Sequence, residues 1–326
     1  VNETGAAVAE NTIEVRGLTK RFGSFTAVDG IGFNVRKGEI FGFLGANGAG
    51  KSTTIRMLCG LLDPTSGTAT VAGFDVRSEP EKVKCAIGYM SQRFSLYEDL
   101  TVEENVRFYG GIYGLTKRAV DRRLEWILEM AGLEKREGSL TRTLSTGWKQ
   151  RLALGCAVLH DPQIVFLDEP TGGVDPLSRR RFWALINELA ERGVTVFVTT
   201  HTLDEAEYCN DIRLIHGGRI VAGGSPRELK TRIIRNPVLE VSGDRAVDAL
   251  EILRKEPWVL EASIFGTSLH VGVADEEEGR RLIRECLTAK GIPPGGVERI
   301  LPSLEDVFVR SIEDATREGG GEGGGS

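Results

Sequence analysis

The stretch GANGAGKST, Gly45 to Thr53, stands between the apolar run EIFGFLG and the helically spaced GKSTTIRMLCGLL. It fits the pattern G-x-x-x-x-G-K-[ST], which requires a strand, a glycine-rich turn and a helix start in that order. Glycines at 45, 48 and 50 let the backbone curl so that N–H groups point inward at phosphate oxygens, with Asn47 and Ala49 among the lining residues. The helix that follows adds the partial positive charge of its first turn. Lys51 has the reach for β- and γ-phosphates, Ser52 offers a hydroxyl to Mg2+, and Thr53 supplies a further phosphate contact. By itself the loop implies a nucleoside triphosphate and nothing narrower.

IVFLDEP narrows the chemistry. Four apolar residues, Ile164 to Leu167, deliver Asp168 to the end of a buried strand, where a carboxylate holds Mg2+ through water. Glu169 comes next, placed to polarise an attacking water as general base. His201 follows a second buried strand, VTVFVTT, and would emerge on the same sheet edge as a γ-phosphate sensor.

Two continuous apolar strands joined through the helix-like LSRRRFWALINELAERG imply a parallel sheet buried on both faces. The short runs IEVRGL, FTAVDGIGFNV, TATVAG and KCAIGYMSQ read as further strands. Between about 93 and 160 the pattern is mostly helical, so the fold class is α/β with a helical subdomain inserted into the core. After about Leu229 the order strand, helix, strand, strand, helix, strand matches a split βαβ, ferredoxin-like unit of α+β type. The domain reading is a lead-in at 1–11, a core at 12–228, an accessory domain at 229–316 and a Gly-rich linker at 317–326.

A chain of 326 residues has room for these two domains. A net charge of −6 argues against a protein built to coat nucleic acid, so anionic ligands need a local positive site. Cys59, Cys85, Cys156, Cys209 and Cys286 are scattered and form no Cys-x-x-Cys pair, which reads as buried thiols in a reducing cytosol. The four histidines show no metal-ligand spacing. No apolar run approaches the roughly 18 residues needed to cross a bilayer, so a membrane role would need another chain to span it. The start VNETGAAVAEN lacks the regions of a signal peptide, and Val1 in place of Met suggests a longer or trimmed native chain.

The ordered set GANGAGKST, Gln92 in YMSQRFSLYEDLTV, LSTGWKQRL, IVFLDEP, GGVDP and His201 resembles the ATPase of ATP-binding cassette (ABC) transporters, over about residues 12 to 228. The resemblance implies a P-loop ABC-type ATPase that binds ATP and Mg2+ at the cytoplasmic face of a membrane and powers a separate permease. LSTGWKQRL corresponds to the signature motif, which acts in trans. Ser145 and Gly147 would complete the ATP site of a second ATPase domain, in a homodimer or heterodimer. Thr146 and Trp148 depart from that motif, which usually has Gly and Gln there.

By the same resemblance, Gln92 touches Mg2+ and links the site to the helical subdomain. Phe22 stacks on adenine, with Phe25 as a nearby competitor, and Asp175 bridges to the opposite protomer. The permease would dock at 93–105, where Tyr97, Glu98 and Asp99 suit a groove. FSLYEDLTVEENVRFYGGIYGL, GWKQR and SLEDVFVRSI are similar to the drug-export branch, of daunorubicin-resistance type. The alternative is a soluble ABC ATPase acting on ribosomes or DNA. Such relatives usually carry two cassettes, coiled coils or zinc insertions, and none is visible here. A P-loop GTPase would need Asn-Lys-x-Asp, which the sequence lacks.

Overall fold

A computed structural model describes residues 10–92 and 95–319, with side-chain environments to residue 315. The expected Gly-rich linker from 320 onward, Arg93 and Phe94 of the docking segment, and residues 1–9 of the lead-in lie outside the described residues. The chain divides into two compact units, Val1–Pro226 and Arg227–Ser326.

The first unit opens with the long strands β1 (Asn11–Phe22) and β2 (Phe25–Arg36), followed by β3 (Ile40–Leu44) and α1 (Lys51–Leu58). Next come β4 (Ser66–Val71), β5 (Phe74–Asp75), α2 (Pro80–Ala86) and β6 (Ile87–Met90). The helices α3 (Val102–Ile112), α4 (Lys117–Ala131) and α5 (Thr146–Ala157) then run together before β7 (Ile164–Asp168). The unit ends with α6 (Pro176–Glu191), β8 (Thr195–Thr200), β9 (Asp211–His216) and β10 (Arg219–Gly224).

Two sheets form, ordered β2-β1-β4-β5 and β10-β9-β3-β8-β7-β6. In the second, β9, β3, β8, β7 and β6 pair in parallel, and every residue of β3, β7 and β8 is buried. That burial is why these runs lack polar alternation. Phe33 of β2 packs against Phe41 at 5.2 Å and Phe197 at 6.0 Å between ring centroids, joining the sheets through one aromatic core.

Within 93–160 the helices carry their own boundary signals. Thr101 and Glu104 close a capping box on α3, Thr116 caps α4, and Gly132 ends α4 in the left-handed region at φ 65°. Two expectations need correction. Lys84, Cys85 and Ala86, read as strand, finish α2, because Pro80 starts a helix turn ahead of β6. Cys85 is exposed and Cys286 half-buried, not core thiols. Cys85 lies two positions, about 200° of helix, from Val83, the buried face of α2.

The second unit contains α7 (Pro226–Ile233, which begins at the boundary), β11 (Val238–Ser242), α8 (Ala246–Leu253), β12 (Val259–Phe265) and β13 (Ser268–Val273). It closes with α9 (Glu276–Ala289), β14 (Gly296–Ile300) and α10 (Leu304–Gly319). Its sheet has the order β12-β13-β11-β14, antiparallel throughout, so the first and third strands lie at the centre as in ferredoxin-like folds. Leu239, Val241 and Val271 meet Ile283 and Leu287 of α9 in its core.

A buried polar cluster starts α10. Asp306 accepts from Ser303 N at 2.7 Å and lies 3.0 Å from His270 Nδ1. Burial works to raise the Asp306 carboxyl, but the hydrogen bonds from His270 and Ser303 outweigh it and hold it below the usual carboxylate range. A depressed folded value means stability present above the unfolded value, about 3.9, and lost as pH falls through the folded one. Calorimetry of the whole chain should therefore show the melting temperature falling below about pH 4, and Asp306→Asn should flatten that acid limb. An unchanged limb in Asp306→Asn would assign the acid loss elsewhere.

Candidate nucleotide-binding and hydrolysis site

Register places the site. Leu44 pairs with Thr200, Asp168 with Thr199 and Met90 with Leu167, so β3, β8, β7 and β6 end nearly level. Gly45, His201, Glu169 and Gln92 each follow shortly after one of these strand ends. Open α/β sheets bind ligands at that carboxyl edge.

The loop after β3 needs its glycines. A Cβ on Gly45 would lie 2.3 Å from the Ile215 carbonyl, and one on Gly50 2.6 Å from that of Ala27. Gly50 also takes φ 111° and Gly48 φ 81°, which side chains disfavour. Ala49 is buried, Asn47 exposed, and Ser52 and Thr53 half-buried in the first turn of α1. Lys51 curls back so that its ammonium donates to the carbonyls of Gly45 at 2.8 Å and Ala46 at 3.1 Å.

The acidic end meets this cation. Glu169 Oε1 lies 3.0 Å from Lys51 Nζ, and the two side chains are 8% and 4% exposed. Glu169 Oε2 accepts from Gln92 Nε2 at 3.1 Å and lies 3.1 Å from His201 Nδ1. A carboxylate only accepts, so Nδ1 carries the proton of that bond. Glu169 itself sits at φ 47°, left-handed and unusual for a residue with a side chain. Asp168 Oδ1 accepts from Ser52 Oγ at 3.2 Å and from Thr199 Oγ1 at 2.7 Å. Its charge is felt nearby: burial, aided by Asp168, pushes the Tyr89 phenol up to about 12 and raises the Cys59 thiol.

Lys51, Ser52, Gln92, Asp168, Glu169 and His201 thus form one connected cluster. The residues expected to face a partner or the adenine have other local surroundings. Ser145 is the N-cap of α5, exposed, with its hydroxyl making no cap bond. Gly147 is buried, and a Cβ there would lie 2.7 Å from Ser178 Oγ and 3.0 Å from its Cβ, so packing against α6 by itself disfavours a side chain here. The Trp148 ring carries the Arg136 guanidinium at 4.2 Å. Asp175 caps α6 by accepting from Ser178 N at 2.9 Å, and the Ser178 hydrogen bonds hold its carboxyl low. Phe22 ends β1, 49% exposed, opposite Phe25 at 62%.

Comparison with known proteins fits this geometry. The family described as "ABC transporter" matches residues 28–172, and "ATP-binding protein DrrA1-3-like, C-terminal domain" matches 224–312. The chain is 36% identical over 299 residues to Nod factor export ATP-binding protein I of Ralstonia nicotianae, covering 91% of this chain and 92% of that one. The chain belongs to the ATP-binding proteins of ABC transporters.

The probable multidrug ABC transporter ATP-binding protein YbhF of Escherichia coli is 53% identical over 223 residues, 68% of this cassette chain. The match spans only 39% of YbhF. A solved ATP binding subunit of an ABC transporter superposes with a TM-score of 0.62 at 33% identity, covering 68% of this chain and 92% of that one.

The cassette's donors suit Mg2+: a hydroxyl and a carboxylate oxygen, Ser52 Oγ and Asp168 Oδ1, already lie 3.2 Å apart at the phosphate loop. Some residues around the cassette site escaped sequence reading. Thr199 donates to Asp168 and accepts from Glu169 N at 3.0 Å, and its only sequence signal is a polar residue in an apolar strand. Asn105, fully buried, pins the loop after Gln92 by bonding both N and O of Tyr97 at 2.9 Å. Tyr97, Glu98 and Asp99 are all exposed, with Tyr97 edge-on to Phe108 and the two carboxylates paired with Lys149 and Arg142 at 2.7 Å each.

Proposed function

We propose that this chain is the ATP-hydrolysing subunit of an ABC exporter, acting as a peripheral dimer on the cytoplasmic face of a membrane. It would drive a separate permease that moves drugs or other hydrophobic compounds. The observation that carries the reading is the convergence of Lys51, Gln92 and His201 on the Glu169 carboxylate at the phosphate loop.

ATP phosphates entering the loop give Lys51 a stronger partner than Glu169, and the ammonium moves to the β- and γ-oxygens. That frees Glu169 to accept a proton from water. The water oxygen bonds the γ-phosphorus as the bond to the β–γ bridging oxygen breaks, and ADP keeps the electron pair. His201 holds the γ-phosphate, and Gln92 reports its presence to the helical segment. Ser52, Asp168 and Gln92 would hold Mg2+, whose charge would offset the negative charge on the transferred group. Phe22, exposed at the hairpin end, stacks on adenine.

The free Ser145 hydroxyl at the start of α5 suits a phosphate brought by a second cassette, and exposed Asp175 suits the opposite protomer. Export is supported by the relatives, one a Nod factor export protein and one a probable multidrug protein. The test is the mass in solution of the Glu169→Gln protein, by light scattering. A dimer that forms only with Mg-ATP is expected. A monomer that binds ATP yet never pairs sinks the homodimer, and leaves a partner cassette or the permease as the missing surface.

A further inference from the structure

Behind Glu169 lies a belt of buried polar groups with no assigned role. Gln150 of α5 is fully buried, and its Nε2 donates to the carbonyl of Pro170, the residue after Glu169. Thr171 Oγ1 donates to Glu205 Oε1 on the 3-10 turn Leu203–Tyr208, and Arg179 Nε of α6 lies 3.2 Å from the same oxygen. Pro170 is therefore held by α5 and Thr171 by the 3-10 turn, whose Glu205 also faces α6 through Arg179. These three elements each begin at a site residue: α5 after Ser145, α6 after Asp175, and the 3-10 turn just beyond His201.

Stability alone does not account for this belt. Gln150 Oε1 and Glu205 Oε2 are buried without a hydrogen-bond partner, a cost that apolar side chains of the same volume would avoid. What the belt does hold is a backbone that resists being held. Glu169 at φ 47° occupies a region that side-chain-bearing residues keep only where surroundings over-determine it.

We infer that Gln150 and Thr171 are positioning residues for Glu169, tying its carboxylate to the helix whose first turn faces the partner's nucleotide. This rests on the reading of Glu169 as general base. A shift of α5 when Ser145 engages phosphate passes through the Gln150–Pro170 bond to the peptide next to the base. The base is thereby set when a second cassette is engaged.

The test is a double-mutant cycle on the full chain, with steady-state hydrolysis and binding of a fluorescent ATP analogue measured together. Gln150→Met keeps length and volume and removes the donor. Its kcat should fall about tenfold to a hundredfold, as for a misplaced group, with nucleotide affinity within about twofold. In the Glu169→Gln background the same change should lower kcat no further, because its effect runs through the carboxylate. Thr171→Val, near-isosteric, should behave alike and decides the matter if Gln150→Met does not fold. Normal kcat in the single variants, or a full additional loss on top of Glu169→Gln, overturns the positioning role. If Glu169→Gln alone hydrolyses normally, the base assignment falls and takes this inference with it.

Discussion

Replacing Glu169 by Gln should lower ATP turnover on the order of a hundredfold or more while leaving nucleotide binding intact. The substitution keeps shape and removes the carboxylate assigned to take a proton from water. A hundredfold corresponds to about 2.7 kcal/mol of barrier, well within what a positioned base supplies. Binding is expected to hold, or tighten, for a reason visible without nucleotide. Lys51 is bonded to the carbonyls of Gly45 and Ala46 as well as to Glu169, so loss of the carboxylate does not orphan the ammonium. It removes a competitor for the cation that the phosphates need. Phosphate release and analogue binding, measured on one preparation, separate the two effects. Near-normal hydrolysis would remove Glu169 from the role of base.

The site's principal residues were legible in sequence because each sits where an apolar strand stops. EIFGFLG, IVFLDEP and VTVFVTTH carry period-free apolar runs, and a fully buried parallel strand exposes chemistry only at its end. Gln92, ending a shorter and less regular run, was placed by resemblance and not by pattern. What stayed hidden depends on three-dimensional neighbours. Thr199 matters because register sets it opposite Asp168, and no local pattern encodes register between strands separated by a helix. Gln150 and Pro170 lie 20 positions apart, and their contact exists only once α5 packs beside the sheet. Gly147 shows the converse. Sequence assigned it to a partner's nucleotide, and the fold supplies an independent reason in Ser178, so its presence alone does not establish the trans role. The strand reading of Lys84–Ala86 failed because short apolar runs do not distinguish a final helix turn from a first strand residue.

Lys51→Ala should lose ATP affinity by about tenfold to a hundredfold, the worth of charge-assisted hydrogen bonds to phosphate. It should also destabilise the protein without nucleotide. Lys51 and Glu169 form a buried pair, and removing one partner leaves a charge in a poorly solvated place, at a cost of about 3–5 kcal/mol. Gln92 and His201 still face that carboxylate, so the lower end of this range is expected. The two losses have different physical origins and a second substitution separates them. Adding Glu169→Gln removes the stranded charge, so the double variant should regain most of the melting temperature lost by Lys51→Ala. It should regain none of the affinity, because nothing in the loop replaces the ammonium. Recovery of both together would mean that Lys51→Ala weakens binding only by disturbing the fold. Unchanged ATP affinity in Lys51→Ala would count against Lys51 as a phosphate ligand at all.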